Sequence, residues 1–247
     1  MGVFSNKIDR IQLKPGDHIY SWRKAYLFAH HGIYVNERTV VHFTTEGRQQ
    51  QTGILTSFNR LFTSSAPSFD TNNIPCPICS DCGETRINGV ILSCLDCFLS
   101  GGELYRFLYG VNIPHFLAQA RGGTCTLASS DPAEEVIHRA IILLESGFGD
   151  YHVSKNNCED FAIYCKTGLR VTRNISVGGG SGQAASYLAA AKSAAFASVR
   201  LAARYYSPTL VGCILYSYKR LVSDIGYRKD VTQVPLERIS EMAVREN

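Results

Sequence analysis

The chain has no run of about 18 uncharged apolar residues, the length a membrane-crossing helix needs. Its longest approach to one, 205–218, is broken by Pro208. The first ten residues lack the basic-then-apolar order of a secretory signal, so an intracellular, cytoplasmic setting is expected. No internal repeat is found, which argues against a solenoid or propeller. Collagen-like and coiled-coil biases are also absent. Arg121-Gly122-Gly123-Thr124 lacks the spacing and the Lys-Ser/Thr end of a phosphate loop. Between positions 184 and 222 no acidic residue occurs, although five basic ones do.

What is present is a globular composition. The 247 residues are 45% hydrophobic and 19% charged, enough for one sizeable core with an appendage or for two small domains. The net charge of +4 is too mild to argue for nucleic acid, and it is unevenly placed. Residues 1–172 carry 15 basic and 16 acidic side chains, and residues 173–247 carry 10 and 5. A glycine-rich stretch, 173–183, separates the two parts and is expected to act as a hinge. Beyond it, 184–206 contains ten alanines and is expected to be helical. With its basic side chains, the region 184–222 could meet an anionic membrane surface peripherally.

The first part reads as strands followed by helices. Residues 17–22, 31–35 and 39–43 are short β-rich runs, and Asn36-Glu37-Arg38 supplies a hairpin turn between the last two. Residues 63–75 read as loop, and 103–111 as a further strand. A helix is expected over 130–149, capped by Asp131 with Glu134 completing a capping box and Gly147 ending it. Val136, Ile137, Ala140, Ile141 and Leu144 share one face of it. A second helix is expected from 157 to 167, stopped by Gly168.

Nine cysteines in a reducing compartment need an explanation, and five of them fall within 76–97. Cys76-x2-Cys79 and Cys94-x2-Cys97 form two pairs of the spacing that holds structural zinc, with Cys82 spare or replacing Cys79. A zinc-ribbon-like insertion over 74–98 is expected. A closed four-cysteine site is structural, so no catalytic cofactor is implied. Cys158 has a different setting. The first turn of a helix offers unpaired N–H groups and a positive dipole end, which favour a thiolate. A nucleophilic thiol needs a base, and the hairpin brings the strands of His30 and His42 side by side. His30 can take the thiol proton, and His42 can orient His30 through its other ring nitrogen.

Together, His30-His31-Gly32-Ile33-Tyr34-Val35, Val41-His42-Phe43 and Asn157-Cys158-Glu159 resemble the LRAT (lecithin retinol acyltransferase) domain. The family opens on H-x-[AG]-I-Y with a second histidine twelve residues on, which selects His30 over His31. Lys14-Pro15-Gly16-Asp17-His18-Ile19 resembles the family's start. The likeness covers roughly 13–168 and is nearest to plant proteins carrying the domain. It departs at Asp160, where the family often has histidine, and in its 115 residues between His42 and Cys158.

The resemblance implies an α+β fold in which an antiparallel sheet packs with helices, a circularly permuted papain-like or NlpC-like arrangement. It also implies acyl transfer. Cys158 would attack a glycerophospholipid ester to form a thioester, with His30 as base, His42 as its orienter, and Asn157 and Glu159 shaping the site. The alternative is a non-catalytic scaffold that uses the zinc insertion and the basic helix to meet a membrane or protein. The expected organisation is a domain over 1–172 with the insertion at 74–98, the hinge at 173–183 and a basic helical tail over 184–247.

Overall fold

The computed structural model describes residues 5–23, 28–36, 38–44, 89–119, 121–152, 156–171 and 208–245, together with 182 and 190. Cys76, Cys79 and Cys82, most of the glycine hinge and nearly all of the alanine-rich stretch lie outside the described residues.

Five antiparallel strands form the central sheet: β1 (His18–Arg23), β2 (Phe28–Asn36), β3 (Thr39–Thr44), β4 (Gly89–Cys94) and β5 (Tyr105–Arg106). Their order is β4-β3-β2-β1-β5. The expected hairpin is β2–β3, turning between Asn36 and Thr39. The strand expected over 103–111 is shorter than its pattern suggests. Only Tyr105 and Arg106 pair with β1, after which the chain swings away so that Leu108 bridges Cys125. β4 continues into α1 (Leu95–Leu99), so residues 89–98 of the cysteine segment are built into the sheet and its covering helix.

Helices cover both faces of the sheet, which is why β2 is buried along seven consecutive residues rather than alternately. On one face α3 (Ala133–Ser146) and α4 (Cys158–Thr167) pack Val136, Ala140, Leu143, Phe161 and Ala162 against Ile33, Val41 and Phe43. On the other, Leu95, Phe98 and Leu99 of α1 meet Ile19, Tyr34 and Val40. Gly32 sits where these layers are tightest. A Cβ there would stand 2.7 Å from Val40 Cγ1 and 2.9 Å from the Phe98 ring, so only glycine fits beside His30.

The cap of α3 differs from expectation. The helix begins at Ala133 with Pro132 at its N-cap and no side-chain cap, because Asp131 is engaged instead by Arg139 at 2.7 Å. A short helix, α2 (Ile113–Ala118), leads into the 124–128 segment. The chain after 208 forms α5 (Pro208–Ser223), β7 (Val231–Gln233) and α6 (Leu236–Arg245). β7 pairs with β6 (Leu169–Val171), the Tyr164 hydroxyl donates to the Val234 carbonyl at 3.0 Å, and Ile239 enters the core beside Val136.

Candidate active site

Helix α4 starts where the sequence placed it. Asn157 is its N-cap, and its Oδ1 accepts from the N–H groups of Glu159 (2.8 Å) and Asp160 (3.1 Å). The Asp160 carboxylate accepts in return from the Asn157 N–H at 3.1 Å, closing a capping box. The aspartate thus has a local structural use, and Cys158 becomes the first helical residue.

The thiol enters the sheet at a split. Hydrogen bonding of Tyr34 to Asp17 and Gly16 turns the even-numbered backbone groups of β2 toward β1. Those of Ala29 and His31 therefore point toward β3. The paired residues of β3 and β2 begin at Ile33, beyond these two. Cys158 meets the strand here: Sγ donates to the Ala29 carbonyl at 3.9 Å and accepts from the His31 backbone N–H. The Tyr151 hydroxyl also hydrogen-bonds the thiol. Nothing in the sequence distinguishes Tyr151. It reaches the thiol because its ring packs 5.0 Å from that of Phe43 on β3.

His30 lies between the two residues that hold the thiol. Its Nε2 is 2.9 Å from His42 Nδ1, and His42 Nε2 is 2.9 Å from Ser93 Oγ on β4. The Phe98 ring packs against both imidazoles, at 5.2 and 5.5 Å. His30 Nδ1 is buried and has no hydrogen-bond partner among the described residues, so no bond joins it to the thiol in this state. Ser93 escaped the sequence reading because its contact depends on the β3–β4 register across 51 residues.

His31 faces the other way, as strand alternation requires. Its Nδ1 is 2.9 Å from His18 Nε2, and His18 Nδ1 is 2.8 Å from the Tyr109 hydroxyl. His18 stacks on Phe107 at 4.4 Å, and Tyr20 stacks on His31 at 5.4 Å. Two imidazole pairs thus straddle one strand. His115 neighbours Gln119, His138 lines a groove with Arg139 and Gln233, and the backbone of His152 bridges to Asn156.

The electrostatics correct one expectation. The helix start was expected to favour a thiolate, but burial, reinforced by Glu159 and Asp160, pushes the Cys158 thiol up to about 12. The His31 N–H and the Tyr151 hydroxyl oppose this without overcoming it. Burial also lowers His42 and His31 to about 3 and takes His30 and His18 well below the usual histidine range. The resting pair is therefore a neutral thiol and a neutral imidazole. Tyr151→Phe is expected to raise the thiol further, slowing iodoacetamide alkylation of Cys158 at pH 9 about three- to tenfold. An unchanged rate would remove Tyr151 from the site.

Glu159 is fully buried. Gly182, with φ +63°, lies against its carboxylate, where any side chain would collide. Of the cysteines expected to bind zinc, Cys94 and Cys97 are described. Both are buried, and the Cys97 N–H donates to Cys94 Sγ at 3.3 Å. Among the described residues no group of three or more metal-ligating side chains occurs.

Residues 11–171 match the family described as lecithin retinol acyltransferase. The chain is also similar to Protein LEAD-SENSITIVE 1 of Arabidopsis thaliana, with 50% identity over 242 residues that cover 97% of this chain and 91% of that protein. No solved structure matches. With the thiol seated in the β2–β3 split beside a linked histidine pair, and with most of its length matched, the chain belongs to the lecithin retinol acyltransferase family.

Proposed function

We propose that this protein is a thiol-based acyltransferase or phospholipase A-type hydrolase that acts on glycerophospholipid acyl groups. Family membership supports acyl-transfer chemistry on phospholipid. The observation that carries the finer reading is the buried His30 Nδ1, unpartnered among the described residues, on a strand whose flanking backbone groups hold the Cys158 thiol.

The hydrogen-bond order that leaves this nitrogen a free lone pair is unique. His30 Nε2–H donates to His42 Nδ1, and His42 Nε2–H donates to Ser93 Oγ. His30 Nδ1 then takes the Sγ proton as sulfur attacks the ester carbonyl. Collapse of the tetrahedral adduct returns that proton to the leaving glycerol oxygen and leaves a Cys158 thioester. Water, an amine or an alcohol then takes the acyl group, giving its proton to His30, and the thiol is restored. Because thiol and base are both neutral at rest, the proton moves with the attack and not before it. The arrangement of base strands preceding the nucleophile helix fits a permuted papain-like order. The test is release of fatty acid and lysophospholipid from phosphatidylcholine by purified protein. Release by wild type and not by Cys158→Ser is expected; equal release by both rules out Cys158.

A second reading is a non-catalytic scaffold, favoured by the burial that, together with Glu159 and Asp160, keeps the thiol protonated. Its working part would be a structural zinc held by Cys76, Cys79, Cys94 and Cys97. The N–H···S turn from Cys97 to Cys94 suits a cysteine knuckle. One zinc per chain by elemental analysis, lost in Cys97→Ser, is the expected outcome for that site. Metal-free protein with native thermal stability would exclude it.

A further inference from the structure

We propose that Ser93 is a positioning residue for the acyl-transfer step, whose hydroxyl decides which nitrogen of His30 carries the proton. This rests on the acyl-transfer reading above and names what holds its base ready. Ser93 lies on β4, 51 residues beyond His42 and apart from the motifs that carry the family likeness. The sheet sets its place. Ser93 stands opposite Val40 and Ile91 opposite His42, so Ser93 is the diagonal neighbour of His42 on the face covered by α1. The Leu95 N–H donates to the Arg38 carbonyl at 2.8 Å and pins the strand end, where Cys94 begins α1. Ser93 is buried, with its Oγ 2.9 Å from His42 Nε2.

Burial above all, with Arg23 contributing at each, keeps His30 and His42 neutral, so the tautomer is the freedom left to the pair. Two neutral imidazoles joined Nε2 to Nδ1 have two proton orders. In the first, His30 Nε2–H donates to His42 Nδ1, His42 Nε2–H donates to Ser93 Oγ, and His30 Nδ1 is bare. In the second, the Ser93 hydroxyl donates to His42 Nε2, His42 Nδ1–H donates to His30 Nε2, and the proton sits on His30 Nδ1. That nitrogen is buried and has no acceptor among the described residues. A buried N–H without an acceptor is costly, so the first order wins. The preference lasts only while Ser93 accepts from His42. Without the hydroxyl, the first order strands His42 Nε2–H and the second strands His30 Nδ1–H. Each order then has one orphan donor, and the pair divides between them.

The other hydroxyls on this face do not take the place of Ser93. Thr44 shares the face of β3 with His42, yet its buried Oγ1 has no hydrogen-bond partner among the described residues. Ser21 Oγ accepts from the Arg23 guanidinium at 3.1 Å. The Phe98 ring packs on both imidazoles and brings no acceptor. Ser93 gains weight as the proton moves. When His30 Nδ1 takes the Sγ proton, the imidazolium donates more strongly to His42, and His42 in turn to Ser93. The last acceptor of the chain is therefore needed most in the transition state, which places its effect on turnover and not on lipid binding.

NMR of the full chain carrying isotope-labelled histidine, at pH 8, tests this, with signals assigned through His30→Gln and His42→Gln. In wild type both histidines are expected to show a protonated Nε2 and a bare Nδ1. In Ser93→Ala both tautomers of each should appear. Lipid deacylation by Ser93→Ala should lose about tenfold in kcat with KM little changed, the scale of one buried hydrogen bond left unmade. Ser93→Thr keeps the hydroxyl and should recover most of that loss. Ser93→Asn supplies a second acceptor in case the extra methyl does not fit, and circular dichroism checks the folding of each variant. A wild-type His30 with its proton on Nδ1, a wild-type kcat in Ser93→Ala, or a loss that persists in folded Ser93→Thr and Ser93→Asn would overturn the proposal. The tautomers are read without lipid. A wild type with the assigned tautomers and no lipid turnover would therefore overturn the acyl-transfer reading and leave the hold of Ser93 on the pair standing.

Discussion

Acidification from pH 7 to pH 5 is expected to unfold much of this protein. Four histidines are buried as neutral imidazoles, in two hydrogen-bonded pairs on opposite faces of β2. Burial is the first cause that depresses each of them, aided at His30 by His42 and Arg23, and at His18 by His31 and Lys166. In the unfolded chain each binds a proton near pH 6.5, and in the folded chain it does not. The folded state is therefore fully stabilised above that value and loses stability as pH falls toward about 3, where His31 and His42 charge in place. Each histidine that stays neutral costs about 1.4 kcal/mol per pH unit, or about 2 kcal/mol at pH 5. Four together reach about 8 kcal/mol, comparable to the whole stability of an ordinary domain. Urea midpoints by circular dichroism at pH 7, 6 and 5 measure this. A steep fall is expected; a constant midpoint would mean that the histidines charge within the folded state.

Removing the nucleophile or its base is the other large effect. Cys158→Ser is expected to cut lipid deacylation about 10³- to 10⁴-fold, since hydroxyl oxygen is far less acidic than sulfur and His30 does not compensate. His30→Ala is expected to lose a similar factor, because with the thiol at about 12 almost no thiolate exists without a proton acceptor. His42→Ala should lose less, about 10- to 100-fold, as it acts through the orientation of His30. These variants are compared at pH 8, above the histidine-linked window, with folding checked by circular dichroism. A His30→Ala protein that retains wild-type turnover would mean another group takes the proton, and His31 would be the next residue to change.

Much of this site was readable in the order of residues. Asn157 before Cys158 announces a helix start, because a short polar side chain satisfies two free N–H groups there. The twelve-residue interval from His30 to His42 spans a hairpin, and a hairpin places such residues side by side. Strand alternation separates His30 from His31 and sends them to different faces. What was not readable depends on contacts remote in sequence. Ser93 meets His42 only through the β3–β4 register, and Tyr151 meets the thiol only through its packing on Phe43.

The state of the thiol illustrates a competition of forces. A helix start lowers a thiol's pKa, but full burial beside two carboxylates raises it more, and burial is not visible in a motif. Asp131 shows the same limit on a smaller scale. Its side chain was suited to capping α3, yet Arg139, eight residues on, offered a charged partner at 2.7 Å. In the Gln233 region the return of the chain onto β6 follows from tertiary pairing that no local periodicity encodes.

Intact-mass spectrometry of the purified protein after incubation with phosphatidylcholine tests the central claim most directly. Wild type should gain a single acyl-sized mass that hydroxylamine removes, and Cys158→Ser should gain none. No adduct on wild type, together with no released fatty acid and no lysophospholipid, would contradict thioester chemistry at Cys158.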